Sequence, residues 1–247
     1  MHDVLSRPIV DRPTRLSYGA DPSQHGDLRL PPGAGPHPLV IALHGGFWRA
    51  RYDLVHLGHL CAALTAAGFA TFSVEYRRVG QPGGGVPGTL DDALAGARFA
   101  LGLPSVDAAR GVLLGHSAGG QLALWAAKGV AVQGVVALAA VSDLARASEL
   151  RLGDGIVDDF LGDAPGAVEL ASPCARLPLG RRQRLVHGDQ DDTVPFELSE
   201  RYVARARRLG DDAELIALPG AGHFEPIDPL SSAWPAVLSA VRDLVPP

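Results

Sequence analysis

A chain of 247 residues with 47% hydrophobic and 20% charged residues suits one large, well-cored α/β domain or two small ones, and is too apolar for disorder. A formal net charge of −5 gives no electrostatic case for nucleic acid as a partner. Cys61 and Cys174 are the only cysteines and lie far apart, so neither a disulfide framework nor a cysteine-based metal site is suggested. Met1 to Pro13 lacks an apolar signal core, and no run approaches the roughly 18 apolar residues of a membrane span. A soluble, cytoplasmic protein with no membrane partner is the expectation.

Residues 1–13 read as a loosely ordered arm. Thr14–Tyr18 and Asp27–Leu30 alternate polar and apolar around a turn-rich stretch, the pattern of an antiparallel hairpin at a sheet edge. Leu39–Leu43 is a continuous apolar run, as in a strand covered on both faces, and it ends in His44-Gly45-Gly46-Phe47-Trp48. Two glycines there let the backbone turn its N–H groups towards a ligand. Asp53 is a candidate cap for a helix over Leu54–Ala67, which Gly68 ends. Phe69–Val74 is the next strand, closing in Glu75-Tyr76-Arg77-Arg78. Thr89 is the candidate cap of a helix over Leu90–Leu101.

Val112–Leu114 then leads as a short buried strand into Gly115-His116-Ser117-Ala118-Gly119, followed at once by an alanine-rich helix pattern reaching Lys128. This G-x-S-x-G in a strand–turn–helix context is what a nucleophile elbow requires. The helix beginning at the serine aims its free N–H groups at the reaction centre. Gln133–Ala140 is a further buried strand. Residues 143–180 read as an irregular connecting segment or small lid with one short helix near Leu144–Leu150. Arg184–Val186 enters His187-Gly188-Asp189-Gln190-Asp191-Asp192-Thr193-Val194-Pro195. A helix over Phe196–Leu209, a strand over Ala213–Leu218 and the loop Gly220–Phe224 follow. A closing helix over Asp228–Leu244 is expected to break near Pro235. The alternation predicts one domain over residues 1–247, with a mostly parallel sheet and helices on both faces.

Ligands of such sheets bind at the carboxyl ends of the strands, and each chemistry-bearing loop here follows a strand. A serine hydroxyl needs an adjacent base, and the base needs a third group to hold its tautomer. Ser117 is the candidate nucleophile and His223, in a glycine-flanked loop after the last strand, the candidate base. Asp189, Asp191 and Asp192 lie in one turn, and residue types alone do not choose among them. His44 and His116 are expected to brace turns, and His187 to be structural. His56 and His59 share a helix face without accompanying acidic ligands, so no metal site is read there. His2, His25 and His37 carry no signal. Phe47 and Trp48 either pack in the core or wall an acyl pocket, for which Tyr76 is a further candidate.

The motifs His44-Gly-Gly-Phe-Trp48, Gly115-His-Ser-Ala-Gly119, His187–Pro195 and Gly222-His223 together resemble the α/β-hydrolase superfamily. The likeness is to its prolyl-oligopeptidase-like and kynurenine-formamidase-like esterase branch. That resemblance implies a single-domain α/β-hydrolase fold and a triad of Ser117, Asp191 and His223, with the acid at the fifth position of H-G-x-x-D-x-x-V-P. It also implies an oxyanion hole from the backbone N–H groups of Gly46 or Phe47 and of Ala118. Peptidases of that branch carry a propeller ahead of the hydrolase domain, whereas the first central strand begins here at Leu39, so an esterase is expected rather than a peptidase. The implied reaction is hydrolysis of a small carboxylic ester or amide through an acyl-enzyme, with no cofactor and no metal. An arylformamidase is the alternative within enzymes, and a non-catalytic small-ligand receptor the alternative outside them.

Overall fold

The computed structural model describes residues 4–9 and 11–245. Its centre is an eight-stranded sheet in the order β1-β2-β4-β3-β5-β6-β7-β8. The strands are β1 (Thr14–Ser17), β2 (His25–Arg29), β3 (His37–Leu43), β4 (Ala70–Val74), β5 (Val106–His116), β6 (Gly134–Leu138), β7 (Arg182–Gly188) and β8 (Ala213–Leu218). β1 and β2 pair antiparallel, and β2 joins β4 antiparallel; β4 onward the sheet is parallel. The expected edge hairpin and parallel sheet are both present.

Period-two alternation divides each central strand between two cores. Leu39, Ile41 and Leu43 of β3 pack with helices α2 (Gly88–Leu101), α3 (Ala118–Ala126) and α7 (Glu197–Arg208). Val40 and Ala42 face the other way, against α1 (Gly58–Ala66) and α8 (Trp234–Leu244). Burial on both sides is why these strands read as unbroken apolar runs. No helix among the described residues is long and apolar enough to cross a membrane.

Several local expectations need correction. Asp53 caps only a 3-10 turn over Leu54–Leu57, accepting from the Val55 N–H, and α1 begins after it at Gly58. Thr89 lies inside α2, where its hydroxyl donates to the Arg77 carbonyl and accepts from the Gly85 N–H. Pro235 does not interrupt α8 but sits in its first turn, where a missing N–H costs nothing. The connecting segment is more regular than expected: besides α4 (Leu144–Glu149), which matches the short helix expected near Leu144–Leu150, it forms α5 (Ile156–Leu161) and α6 (Ala167–Ala171). The N-terminal arm is docked over residues 4–9, with Val4 buried against the α1–α8 side and Arg7 ion-paired to Asp228. His2 lies outside the described residues.

Candidate active site

The loop after β3, the elbow after β5 and the turns after β7 and β8 meet at the carboxyl edge of the sheet. Ser117 joins β5 to α3 with φ 57° and ψ −120°, a region that non-glycine residues enter at a cost of roughly 1–3 kcal/mol. The positions two before and two after it must be glycine. A Cβ at Gly115 would stand 2.1 Å from the Gly119 carbonyl oxygen, and one at Gly119 would stand 2.0 Å from that of Leu43. The Ser117 N–H is held by the Leu138 carbonyl at 2.8 Å, so the strained turn is tied to the neighbouring strand. α3 starts at Ala118, and first-turn N–H groups have no acceptor within their own helix.

His223 Nδ1 donates to Asp191 Oδ2 at 2.7 Å. His223 also lines a cavity of about 240 Å³ together with Ser117, Gly46, Phe47, Thr193 and Phe224. Of the three acids in this turn, Asp191 is the one bonded to His223. Asp191 Oδ1 accepts from the N–H groups of Thr193 and Val194, both at 2.8 Å, which aims Oδ2 at His223. Asp189 accepts instead from the Gly220 N–H, and Asp192 from the Thr193 hydroxyl. Burial by itself would raise the Asp191 carboxyl. The hydrogen bonds from His187 and His223, with the Val194 N–H, override it and hold Asp191 well below the usual carboxylate range.

Two histidine contacts carry no sequence signal. His187 Nε2 lies 3.1 Å from the same Oδ2 of Asp191, while its Nδ1 meets the Ser199 hydroxyl at 2.8 Å. His116 Nε2 meets the His223 carbonyl oxygen at 2.9 Å, and a carbonyl only accepts, so this nitrogen carries the proton. The neutral His116 ring then accepts at Nδ1 from His56 Nε2, 2.8 Å away. Burial keeps both rings neutral, aided by mutual repulsion with neighbouring histidines: His116 is pushed well below the ordinary imidazole range and His56 to about 3. The expected bracing role of His116 thus has a definite object, the backbone of His223.

Among the residues expected near a pocket, Phe47 lines the cavity, and Trp48 and Tyr76 do not. Trp48 is fully buried, stacked on Phe160 at 4.2 Å, with its indole N–H on Gln121. Tyr76 is fully buried, stacked on His44 at 4.3 Å, and its hydroxyl donates to the His44 carbonyl. Both aromatic rings are used up in packing the loops. Gly46 at φ 109° and Phe47 at φ 51° take left-handed conformations, so the loop turns sharply beside the elbow. His59 meets the Arg7 carbonyl, and among the described residues no group of three or more His, Cys, Asp or Glu side chains is placed to hold a metal ion.

With this geometry in place, comparison with known proteins is informative. The model of the prolyl oligopeptidase family matches residues 48–229, well over half the sequence. The chain belongs to that family. Two uncharacterized proteins of Mycobacterium tuberculosis, from strains CDC 1551 and H37Rv, are each 29% identical to it over 205 residues. The match covers 78% of this family member but only 65% of each relative's length. Among solved structures, a truncated form of a carbohydrate esterase from gut microbiota superposes with a TM-score of 0.81 at 21% identity, covering 94% of this chain and 95% of that one. A bacterial heroin esterase gives 0.81 at 20% identity, with 98% and 88% covered. Esterase 2 of Thermogutta terrifontis gives 0.76 at 20% identity, with 94% and 90% covered. At these identities the likeness establishes the fold, a single-domain α/β-hydrolase fold.

Proposed function

We propose that this protein is a serine hydrolase acting on small carboxylic esters, with Ser117 as nucleophile, His223 as base and Asp191 as the acid that orients it. The observation that carries the reading is the 2.7 Å bond from His223 to Asp191, made at a cavity whose wall includes Ser117 on its strained turn. Ser117 Oγ attacks the ester carbonyl and its proton passes to His223 Nε2. The carbonyl oxygen becomes an oxyanion that accepts from the Ala118 N–H and from the N–H of Gly46 or Phe47. Collapse expels the alcohol, which takes the proton from His223. Water, deprotonated by His223, then attacks the acyl-Ser117 carbonyl; as the C–Oγ bond breaks, His223 returns the proton to Ser117 Oγ and the acid is released. Asp191, kept ionised, stabilises the imidazolium that forms in each half.

A cavity of about 240 Å³ favours short acyl groups, because a longer chain must run out of it into water, where the gain of about 0.8 kcal/mol per buried methylene is lost. Across p-nitrophenyl esters, kcat/KM is expected to peak at about two to four acyl carbons. Aminoacyl arylamides should be poor substrates. Phe47 on the cavity wall gives an aromatic leaving group a surface to stack on, which favours an aryl formamide as the second reading. Side-by-side rates on p-nitrophenyl acetate, a long-chain p-nitrophenyl ester and a formyl anilide test the proposal. A formyl anilide cleaved faster than any ester would promote the second reading, and a preferred long-chain ester would contradict the first.

A further inference from the structure

Two hollows flank His223, and they differ in sign. The larger, of about 830 Å³, lies under the N-terminal arm and carries Asp192, Glu225 and Asp228 against Arg7. The cavity that holds Ser117 carries Arg49 and Arg51 against Asp154 alone. Arg49 is engaged, since its guanidinium donates to the Gly153 carbonyl and ties the loop after β3 to the connecting segment. Arg51 is different. It is exposed, its guanidinium lies over the Tyr52 ring at 4.8 Å, and no carboxylate of the described residues is within ion-pair distance of it. Tyr52 is itself fixed: its N–H bonds the Arg49 carbonyl, its carbonyl accepts from Arg78, and its side chain packs so closely on Gly46 that a Cβ there would lie 2.5 Å away. The ring therefore holds a cation at a set position beside the loop that carries the candidate oxyanion donors.

Resting on the hydrolase reading above, we propose that Arg51 recognises a carboxylate on the substrate, so that the preferred esters are anionic ones. An unpaired guanidinium presents a fork of donors that matches a carboxylate, and the acidic hollow on the other side of His223 directs the charged part of the substrate into this cavity. The carboxylate is carried by either the acyl part or the alcohol part, and two substrate pairs separate these. The acyl pair is mono-4-nitrophenyl glutarate and 4-nitrophenyl valerate. The alcohol pair is 4-acetoxybenzoate and its methyl ester.

For each pair the ratio of kcat/KM, anionic over neutral, is measured in the wild type, Arg51→Gln and Arg51→Lys. In one pair the ratio should fall about 5-fold in Arg51→Gln, the scale of an exposed charge pair, and recover in part in Arg51→Lys. It should also shrink in wild type at high salt. Ratios that Arg51→Gln leaves within about twofold of wild type in both pairs would overturn the inference while leaving Ser117-dependent hydrolysis of the neutral esters intact. If none of the four esters is cleaved, or if Ser117→Ala still cleaves them, the hydrolase reading fails and this inference with it.

Discussion

Of the histidine–carboxylate pairs at this edge of the sheet, His44–Glu75 is enclosed, whereas His223 of the His223–Asp191 pair lines a cavity. His44 Nε2 bonds Glu75 Oε1 at 3.0 Å, with both side chains buried. Its Nδ1 is taken by the Gly45 carbonyl at 2.8 Å, and its face is covered by Tyr76. Glu75 in turn accepts from the N–H groups of Leu54 and Tyr76 and lies 3.4 Å from Arg78. The pair thus staples the loops after β3 and β4. His223 makes the equivalent bond to Asp191, but only one ring nitrogen is spent on it. Burial opposes ionisation of both acids. In each case histidine contacts override it, joined by Arg78 at Glu75 and by backbone N–H groups at both, and both carboxyls are held below the ordinary range. A histidine and a carboxylate become a staple or a candidate base–acid pair according to whether the second nitrogen is enclosed.

The largest effect should come from removing the ring that lines the cavity, or the serine beside it. His223→Ala and Ser117→Ala are each expected to lower kcat on the order of 10⁶-fold, with circular dichroism unchanged. Next, Asp191→Asn should cost about 10³–10⁴ in kcat, and Asp189→Asn and Asp192→Asn far less. A dead Asp192 variant beside an active Asp191 variant would break the assignment of the acid. Glu75→Gln should show the opposite signature, because it strands Arg78 and His44 in a buried site. A stability loss of about 3–5 kcal/mol, read as a lower Tm, is expected to exceed its effect on kcat of the folded protein. If Glu75→Gln instead costs as much rate as Asp191→Asn at unchanged Tm, the two pairs are not distinct in kind.

At neutral pH the smallest effect concerns His56, whose neutral ring matters only in acid. Its folded value of about 3 lies below the ordinary 6.5, so between those values the unfolded chain binds the proton and the folded chain does not. Stability is therefore fully present above pH 6.5 and falls as the pH drops towards 3, by about 1.4 kcal/mol per pH unit for this group. His56→Phe should flatten the pH dependence of urea-unfolding free energies over that window by about one proton. An unchanged slope would mean that His56 is not held neutral.

Much of this edge was legible in the residues. Apolar runs bounded by Gly-rich turns located every central strand, and the elbow followed from Gly115-His-Ser-Ala-Gly119 because only small neighbours permit that turn. The choice of Asp191 rested on family likeness, since no local rule separates three acids in one turn; the deciding fact is which carboxylate the Thr193 and Val194 N–H groups orient. Glu75 beside His44, His187 beside Asp191 and His56 beside His116 depend on packing that no local pattern encodes. The short helix near Leu144–Leu150 is present as α4, but α5 and α6 carry no sequence signal, because left-handed residues, Arg151, Asp154 and Gly155 among them, cut the chain into pieces of one or two turns. Such pieces are too brief to show a helical period.

The central claim is that Ser117 is the nucleophile activated by His223. An alkyl fluorophosphonate, which reacts only with an activated serine, tests it most directly. Peptide mapping by mass spectrometry should find one adduct, on Ser117, in the wild type and none in His223→Ala. Wild-type protein left unlabelled, or labelled on another residue, would contradict it.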